Sequence, residues 1–257
     1  MKKNDANFIE IKNLNLGYDD RVVLHDVNFT VNRGDIFIIM GMSGCGKSTI
    51  LRAMVGLLRP KGGQILISGT DMWAANDEER SKIVAHFGVS FQSGALFSSM
   101  TVGENVALPI ELRSDLTSQE IQKRVHEKLK IVGLDGCANL YPSEISGGMI
   151  KRAALARALI NNPDTLFFDE PSAGLDPVRS SELDNLIKDI NQQNGTTIIM
   201  VTHELPTIMS IATNSVYVDA TTRTIGATGA PTQILKTTKN PQIVEFLTRG
   251  QLKGNKK

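Results

Sequence analysis

IFIIM, residues Ile36–Met40, is a continuous apolar run, and GMSGCGKS, residues Gly41–Ser48, follows it directly. An unbroken apolar run of this length is typical of a strand that is buried on both faces of a sheet. The second stretch fits G-x-x-x-x-G-K-[ST], a glycine-rich loop that joins such a strand to a helix. The sequence therefore predicts a strand, a phosphate-binding loop and a helix, in that order.

The residue types of this loop are suited to a nucleotide. Glycines let the backbone wrap closely around an anion, and the amides at a helix N-terminus supply partial positive charge for the phosphates. We expect Lys47 to reach the β- and γ-phosphates of ATP and the Ser48 hydroxyl to bind Mg²⁺. The predicted ATP-contacting residues of this segment are Gly41, Met42, Ser43, Gly44, Cys45, Gly46, Lys47, Ser48 and Thr49.

Strands and helices surround this unit. Alternating apolar residues predict antiparallel strands over Phe8 to Tyr18 and Val22 to Val31. Helical periodicity then predicts a helical subdomain at about residues 93–163, interrupted at Pro109, before strands and helices alternate again. The predicted fold is α/β: a mostly parallel sheet, an N-terminal antiparallel β subdomain and an inserted helical subdomain. These form one domain over residues 1–230, followed by a helical tail over 231–257.

Amino-acid composition limits the classes of function that the chain can have. The 257 residues include 28 basic and 27 acidic side chains, and this balance disfavours a nucleic-acid partner. The longest apolar runs are far shorter than the roughly 20 residues that cross a bilayer, so we expect no membrane span and a cytosolic chain. Two cysteines predict free thiols, and Cys45 is the expected alkylation target because loop amides favour a thiolate.

A second apolar run, Leu166-Phe167-Phe168, ends in the acids Asp169 and Glu170. Open α/β sheets bind their ligands at the carboxyl ends of such strands. This is the Walker B pattern. We expect Asp169 to hold the Mg²⁺ shell through water and Glu170 to polarise the water that attacks ATP.

Ile145-Ser146-Gly147-Gly148-Met149, followed by Lys151-Arg152, stands about 20 residues before the acidic pair. This segment resembles the signature motif of the ATP-binding-cassette (ABC) family. The resemblance implies that the γ-phosphate of ATP bound to the opposite subunit is contacted by Ser146, Gly147, Gly148 and Met149. Met149 stands where the family usually has glutamine, so no side-chain hydrogen bond is expected from that position.

The remaining family motifs occur in the family's order, and the resemblance covers nearly the whole chain. Tyr18 resembles the aromatic residue that stacks on adenine, with Val23 beside it. Gln92 matches the glutamine that reaches Mg²⁺ and the attacking water. Asp176 ends a segment that resembles the D-loop, and His203 matches the switch histidine that senses the γ-phosphate. The resemblance thus implies two ATP sites shared by two copies of the chain, with Lys47, Gln92, Glu170 and His203 catalytic.

Four stretches resemble the ATPases of bacterial lipid-asymmetry (Mla) phospholipid transport systems. They are Gly94 to Phe97, Met100 to Val106, the methionine-ending signature Ser146 to Arg152, and Glu170 to Pro177. In that family the ATPase lies on the cytoplasmic face of the inner membrane, under a permease. The other expected partners are a periplasmic lipid-binding protein of the mammalian-cell-entry (MCE) type and a small STAS-domain protein. Two alternatives stay open: the ATPase of a small-solute importer, for example for amino acids, and a non-transport ABC scaffold ATPase.

Overall fold

The computed structural model describes residues 8–112 and 114–248, which divide into two compact units. Described residues up to 84 and from 197 onward form the first unit, and residues 85–196 form the second. The strands are β1 (Ile9–Tyr18), β2 (Arg21–Val31), β3 (Ile36–Gly41), β4 (Gly62–Ile67), β5 (Thr70–Asp71), β6 (Phe87–Ser90), β7 (Thr165–Asp169), β8 (Thr197–Val201), β9 (Asn214–Asp219) and β10 (Thr224–Thr228). The helices are α1 (Lys47–Met54), α2 (Asp77–Val84), α3 (Val102–Glu111), α4 (Ser118–Ile131), α5 (Gly147–Leu159), α6 (Pro177–Asn194), α7 (Leu205–Ile211), α8 (Pro231–Thr237) and α9 (Pro241–Thr248), with a 3₁₀ turn at Pro142–Glu144.

Strand β3 lies at the centre of the first unit. It pairs in parallel with β8 on one side and with β9 on the other, and β10 pairs antiparallel with β9. Every residue of β3 is buried, because both faces of the strand are covered. The apolar run therefore forms the doubly buried strand that its composition predicts.

An antiparallel sheet in the order β2-β1-β4-β5 completes the first unit. Its β1 and β2 match the two predicted N-terminal strands, with Ile9 opposite Val31 and Tyr18 opposite Arg21. Strand β5 is too short for its own periodicity to be visible in the sequence.

The second unit combines two parallel strands with helices. Strand β6 pairs with β7, and Ser90 lies opposite Phe168. Helices α3 and α4 each begin with a capping box, in which a threonine and a glutamate three residues later exchange hydrogen bonds; the threonines are Thr101 and Thr117. Helices α3, α4 and α5 occupy most of the stretch predicted as a helical subdomain; its boundaries at about 93 and 163 stay a prediction.

The predicted helix break at Pro109 is wrong. Helix α3 runs from Val102 to Glu111 with Pro109 inside it. Proline removes one backbone N–H donor, so only one helical hydrogen bond is lost, and the helix ends two residues later. Asn105, which is fully buried, stabilises the start of the helix because its side-chain amide donates to the carbonyls of Phe97, Met100 and Thr101.

The tail forms the two short helices α8 and α9, and Arg249 to Lys257 lie outside the described residues. On α9, Ile243 and Leu247 are buried, and the Phe246 ring meets the Tyr217 ring edge-on at 5.4 Å between centroids. The apolar stripe of α9 is therefore covered by its own unit. The apolar spacing of this segment would also suit a helix that reaches over a neighbouring subunit or a regulatory partner, but Ile243 and Leu247 are buried here without one.

Truncating this stripe should destabilise the chain itself. We expect Leu247→Ala to lower the free energy of unfolding by about 2 to 4 kcal/mol, because the lost methyl groups leave a cavity. Leu57→Ala is the matched control: Leu57 is 64% exposed and Leu247 only 5%, so the control should change stability little. Urea denaturation of both variants measures the difference, and equal midpoints would contradict the observed packing of α9.

Candidate nucleotide-binding and catalytic residues

Two glycines give the phosphate loop its path between β3 and α1. Gly41 has φ 151°, and a Cβ there would lie 2.6 Å from the carbonyl oxygen of Val218. Gly46 has φ 105°, and a Cβ there would lie 2.9 Å from the Leu24 side chain. Any side chain at either position would force the backbone or a neighbour to move. The loop therefore needs glycine at the positions the motif specifies.

Lys47 begins helix α1 and is only 6% exposed. Its Nζ donates hydrogen bonds to the carbonyl oxygens of Gly41 and Met42, each at 3.0 Å. These bonds hold the ammonium group inside the curve of the loop, where an anion would be bound. Met42, Ser43 and Gly44 are exposed along the same loop.

The other predicted nucleotide contacts of the first unit lie around this loop. Tyr18 is 41% exposed, and its hydroxyl accepts a hydrogen bond of 3.2 Å from Arg52 Nη1 of helix α1. Val23 packs near the loop, since its Cγ1 lies 3.2 Å from where a Gly46 Cβ would stand. His203 is exposed just after β8, with Nε2 3.7 Å from Glu204 Oε1, and lines a cavity of about 460 Å³ together with Met42.

Cys45 differs from the expectation of a reactive thiolate. Its side chain is 5% exposed, and burial raises the pKa of the thiol, although the Lys47 charge opposes that shift. Desolvation outweighs the nearby positive charge because a thiolate loses its hydration inside the loop. The predicted alkylation target is therefore a protonated, shielded thiol.

Maleimide should consequently label Cys137 before Cys45. Cys137 is partly exposed and carries the second free thiol, and thiolates are the species that react. We expect Cys45 labelling to stay slow at neutral pH and to speed up as the pH rises, because its pKa is raised. Peptide mapping by mass spectrometry, with Cys137→Ser as control, measures both rates; faster labelling of Cys45 at pH 7 would contradict the observed burial.

In the second unit, the predicted acids lie at the carboxyl end of strand β7. Asp169 ends the strand and Glu170 comes next, each 9% exposed. Glu170 has φ 50°, in the left-handed region that few residues other than glycine adopt. Gln92 is exposed two residues after β6, the strand that pairs with β7. The carboxyl ends of these two parallel strands thus place Gln92, Asp169 and Glu170 at one edge.

The signature segment begins helix α5. Ser146 is the N-cap residue, and its hydroxyl accepts a hydrogen bond of 3.3 Å from the Met149 amide. Ser146 and Gly147 are exposed, and a Cβ on Gly147 would meet no atom within 4 Å. Ser146, Gly148 and Met149 line a cavity of about 280 Å³ with Leu175 and Arg179. The open helix N-terminus is suited to an incoming phosphate.

Asp176 has a structural partner in its own helix. It is the N-cap of α6, and its carboxylate accepts hydrogen bonds from the amides of Val178 and Arg179, both at 3.1 Å. Its expected nucleotide contact therefore stays a prediction.

Sequence reasoning gave no role to two cations on helix α5, Lys151 and Arg157. Lys151 Nζ donates to the carbonyl oxygens of Pro171 and Ala173, just after Glu170. Arg157 donates from both terminal nitrogens to the carbonyls of Gly94 and Ala95, each at 2.7 Å, just after Gln92. The visible signal was three basic residues, Lys151, Arg152 and Arg157, in an otherwise apolar helix.

The donor atoms of the described residues indicate which metal they suit. Among residues 8–112 and 114–248, no group of three or more His, Cys, Asp or Glu side chains could hold a metal by itself. The expected Mg²⁺ ligands Ser48, Gln92 and Asp169 offer hydroxyl, amide and carboxylate oxygens. Mg²⁺ prefers oxygen ligands, keeps several waters and uses nucleotide phosphates, so the donor atoms of each expected ligand suit it.

Comparison with known proteins decides the family. The family model described as ABC transporter matches residues 24–173, which is more than half of the chain. The chain belongs to the ABC transporter family of ATPases. Within the described residues, no helix of this ATPase is long and apolar enough to span a membrane.

Two relatives that are named for different transport activities have the same sequence identity to this ATPase. "Intermembrane phospholipid transport system ATP-binding protein MlaF" of Haemophilus influenzae is 41% identical, over 95% of this chain and 91% of that protein. "Probable ribonucleotide transport ATP-binding protein mkl" of Mycobacterium leprae is also 41% identical, over 93% of this chain and 68% of that protein. The chain thus spans about two thirds of the mycobacterial relative.

A solved structure shares the fold and carries products of ATP hydrolysis. It is a dimeric post-hydrolysis state of the ATP-binding cassette MJ0796 bound to ADP and Pi. It is 30% identical, covers 86% of this chain and 97% of its own, and has a TM-score of 0.77. The predicted ABC-type α/β fold and ATPase class are confirmed.

Proposed function

We propose that two copies of this ATPase hydrolyse MgATP at two shared sites and thereby drive phospholipid transport between the inner and outer membranes of a Gram-negative-type envelope. The observation that supports the cargo assignment is that the 41% identity to a phospholipid-transport ATPase extends over 91% of that protein, whereas the equal identity to the mycobacterial relative covers 68% of that protein. Ribonucleotide transport, for which the mycobacterial relative is named, is the rival function, and small-solute import stays the further alternative.

In the proposed cycle, the phosphate loop and Lys47 of one copy bind the ATP phosphates, with Tyr18 and Val23 beside the adenine. Ser146 to Met149 of the second copy approach the γ-phosphate from the other side. Ser48, Gln92 and Asp169 would hold Mg²⁺, which would neutralise phosphate charge there. Glu170 accepts a proton from the attacking water, and His203 contacts the γ-phosphate. Catalysis then consists of positioning the water and stabilising charge.

Two observations support a shared site. Lys47 is buried within its own loop, so each copy carries a preformed phosphate cradle. Ser146 and Gly147 are exposed at a helix N-terminus, as a surface that receives phosphate from another chain requires. A symmetric dimer of such chains contains two equal sites.

Purification with its membrane partners tests the cargo. We propose the cytoplasmic face of the inner membrane, with a permease, an MCE-type lipid-binding protein and a STAS-domain protein in the complex. Lipid extraction from the purified complex should yield bound phospholipid. In an ATP-dependent transport assay, the complex should move phospholipid from added vesicles and should not move ribonucleotides. The proposal would be contradicted by a complex that contains bound ribonucleotide, by one that contains an amino-acid-binding protein, or by one that contains no permease.

The complex with Glu170→Gln is the matched control. It should assemble with the same partners and hold phospholipid, but it should fail to move lipid when ATP is added. Lipid movement at the wild-type rate in this variant would separate transport from hydrolysis and contradict the proposed coupling.

A further inference from the structure

Lys151 reaches from helix α5 to the loop that follows the predicted general base. Its Nζ donates to the carbonyl oxygen of Pro171 at 2.8 Å and to that of Ala173. Pro171 is buried, and both carbonyls belong to the loop that begins at Glu170. One ammonium group therefore binds two backbone carbonyl oxygens of this loop.

The loop needs support from outside. Its own bonds form two successive turns, from the Ala173 amide to the Glu170 carbonyl at 3.2 Å and from the Leu175 amide to the Ser172 carbonyl at 3.0 Å. Glu170 nevertheless keeps φ 50°, a conformation that persists in a non-glycine residue only when the surroundings hold it. Lys151 provides such a restraint.

The chemistry of lysine suits this task. An ammonium has three N–H donors and no acceptor, so it can bind two carbonyls at once. Burial lowers the pKa of Lys151, and the charge of Glu170 partly opposes that shift. A partly buried lysine that bonds two backbone carbonyls is thus tied to the position of the loop.

We infer that Lys151 is a positioning residue for ATP hydrolysis: it fixes the turn that begins at Glu170 and links it to the helix that Ser146 caps. This inference rests on the proposed role of Glu170 as general base. Lys151 does not contact the nucleotide. It acts by setting the position and direction of the Glu170 carboxylate.

The first test is the split between kcat and KM for ATP in Lys151→Met. Methionine keeps the length and apolar stem but removes all three donors. We expect kcat to fall about 10²-fold, the loss typical of a misplaced catalytic group, while KM changes little because the phosphate loop is intact. A kcat within twofold of the wild type would overturn the inference.

Lys128→Met is the matched control. Lys128 is also a lysine of the second unit whose pKa burial lowers, but its Nζ donates to Asn162 Oδ1 at 2.6 Å, not to the loop after Glu170. We expect Lys128→Met to keep kcat within twofold of the wild type. Equal losses of kcat in the two variants would show a general effect of removing a buried lysine and would overturn the inference.

A double-mutant cycle separates positioning from an independent effect. If Lys151 acts through Glu170, Lys151→Met should lower kcat strongly in the wild type and hardly at all in a Glu170→Gln background. Losses that multiply would overturn the inference. If Glu170→Gln alone kept full turnover, the proposed role of Glu170 would fail instead, so the two failures are distinguishable.

Lys151→Arg and Lys151→Gln keep the inference testable if the methionine variant does not fold. Both retain N–H donors that can reach backbone carbonyls, and we expect intermediate kcat values with unchanged KM. If both folded variants raised KM and left kcat unchanged, Lys151 would serve nucleotide binding, and the inference would be wrong.

Discussion

Glu170→Gln should bind ATP with nearly wild-type affinity and lose hydrolysis by about 10²-fold or more, because an amide cannot accept the proton of the attacking water. The substitution keeps the size of a side chain that is 9% exposed and retains a carbonyl oxygen, so the turn after β7 should persist. With ATP uncleaved, the dimer should accumulate in its closed state. Single-turnover hydrolysis and size-exclusion chromatography with ATP measure both effects.

Asp164→Asn is a suitable control for this carboxylate. Asp164 precedes β7, and its nearest ionic neighbour is His86 at 3.5 Å. It should leave turnover unchanged. Near wild-type hydrolysis by Glu170→Gln would remove Glu170 from the catalytic role, and a loss equal to that of Asp164→Asn would do the same.

Lys47→Ala and Ser146→Arg should both lose ATP hydrolysis, but for different reasons. Lys47→Ala removes the ammonium group that lies inside the phosphate loop, and charge-assisted hydrogen bonds are worth about 1.5 to 3 kcal/mol, so nucleotide affinity should fall by about 10- to 100-fold. Ser146→Arg alters an exposed N-cap of the second unit. It should leave the nucleotide affinity of the monomer intact and suppress turnover.

Calorimetric titration of ATP into each monomeric variant, followed by turnover at saturating ATP, measures this contrast. Ser146→Ala is the control for the cap itself, since loss of the cap costs only about 1 kcal/mol of stability. It should keep more turnover than Ser146→Arg. Equal losses of monomer affinity in Lys47→Ala and Ser146→Arg would contradict a site that two chains share.

Local signals in the sequence were sufficient for the core of the fold. The run from Ile36 to Met40 predicts β3 because a strand buried on both faces must be apolar throughout, and all of β3 is buried. The glycine positions at Gly41 and Gly46 follow from backbone geometry that a short motif specifies. For the same reason, the strand before Asp169 and the helix after Ser146 could be predicted without knowing their neighbours.

Tertiary contacts explain what the sequence could not predict. Pro109 was expected to break a helix, but helix α3 tolerates it because its remaining hydrogen bonds and the buried Asn105 hold the first turn. Cys45 was expected to be reactive from the loop dipoles, and only its burial shows that desolvation dominates. The contacts of Lys151 with residues 20 and 22 positions away carry no periodic signal.

Mixing Lys47→Ala with Ser146→Arg tests the shared site most directly. In a mixed dimer, one site combines the intact Lys47 of one chain with the intact Ser146 of the other, and the second site carries both defects. We predict that the mixture hydrolyses ATP well above either variant alone, whereas wild type mixed with the double variant Lys47→Ala, Ser146→Arg gains nothing beyond its wild-type dimers. A mixture of the single variants that stays as inactive as its components, although mixed dimers form, would contradict the account.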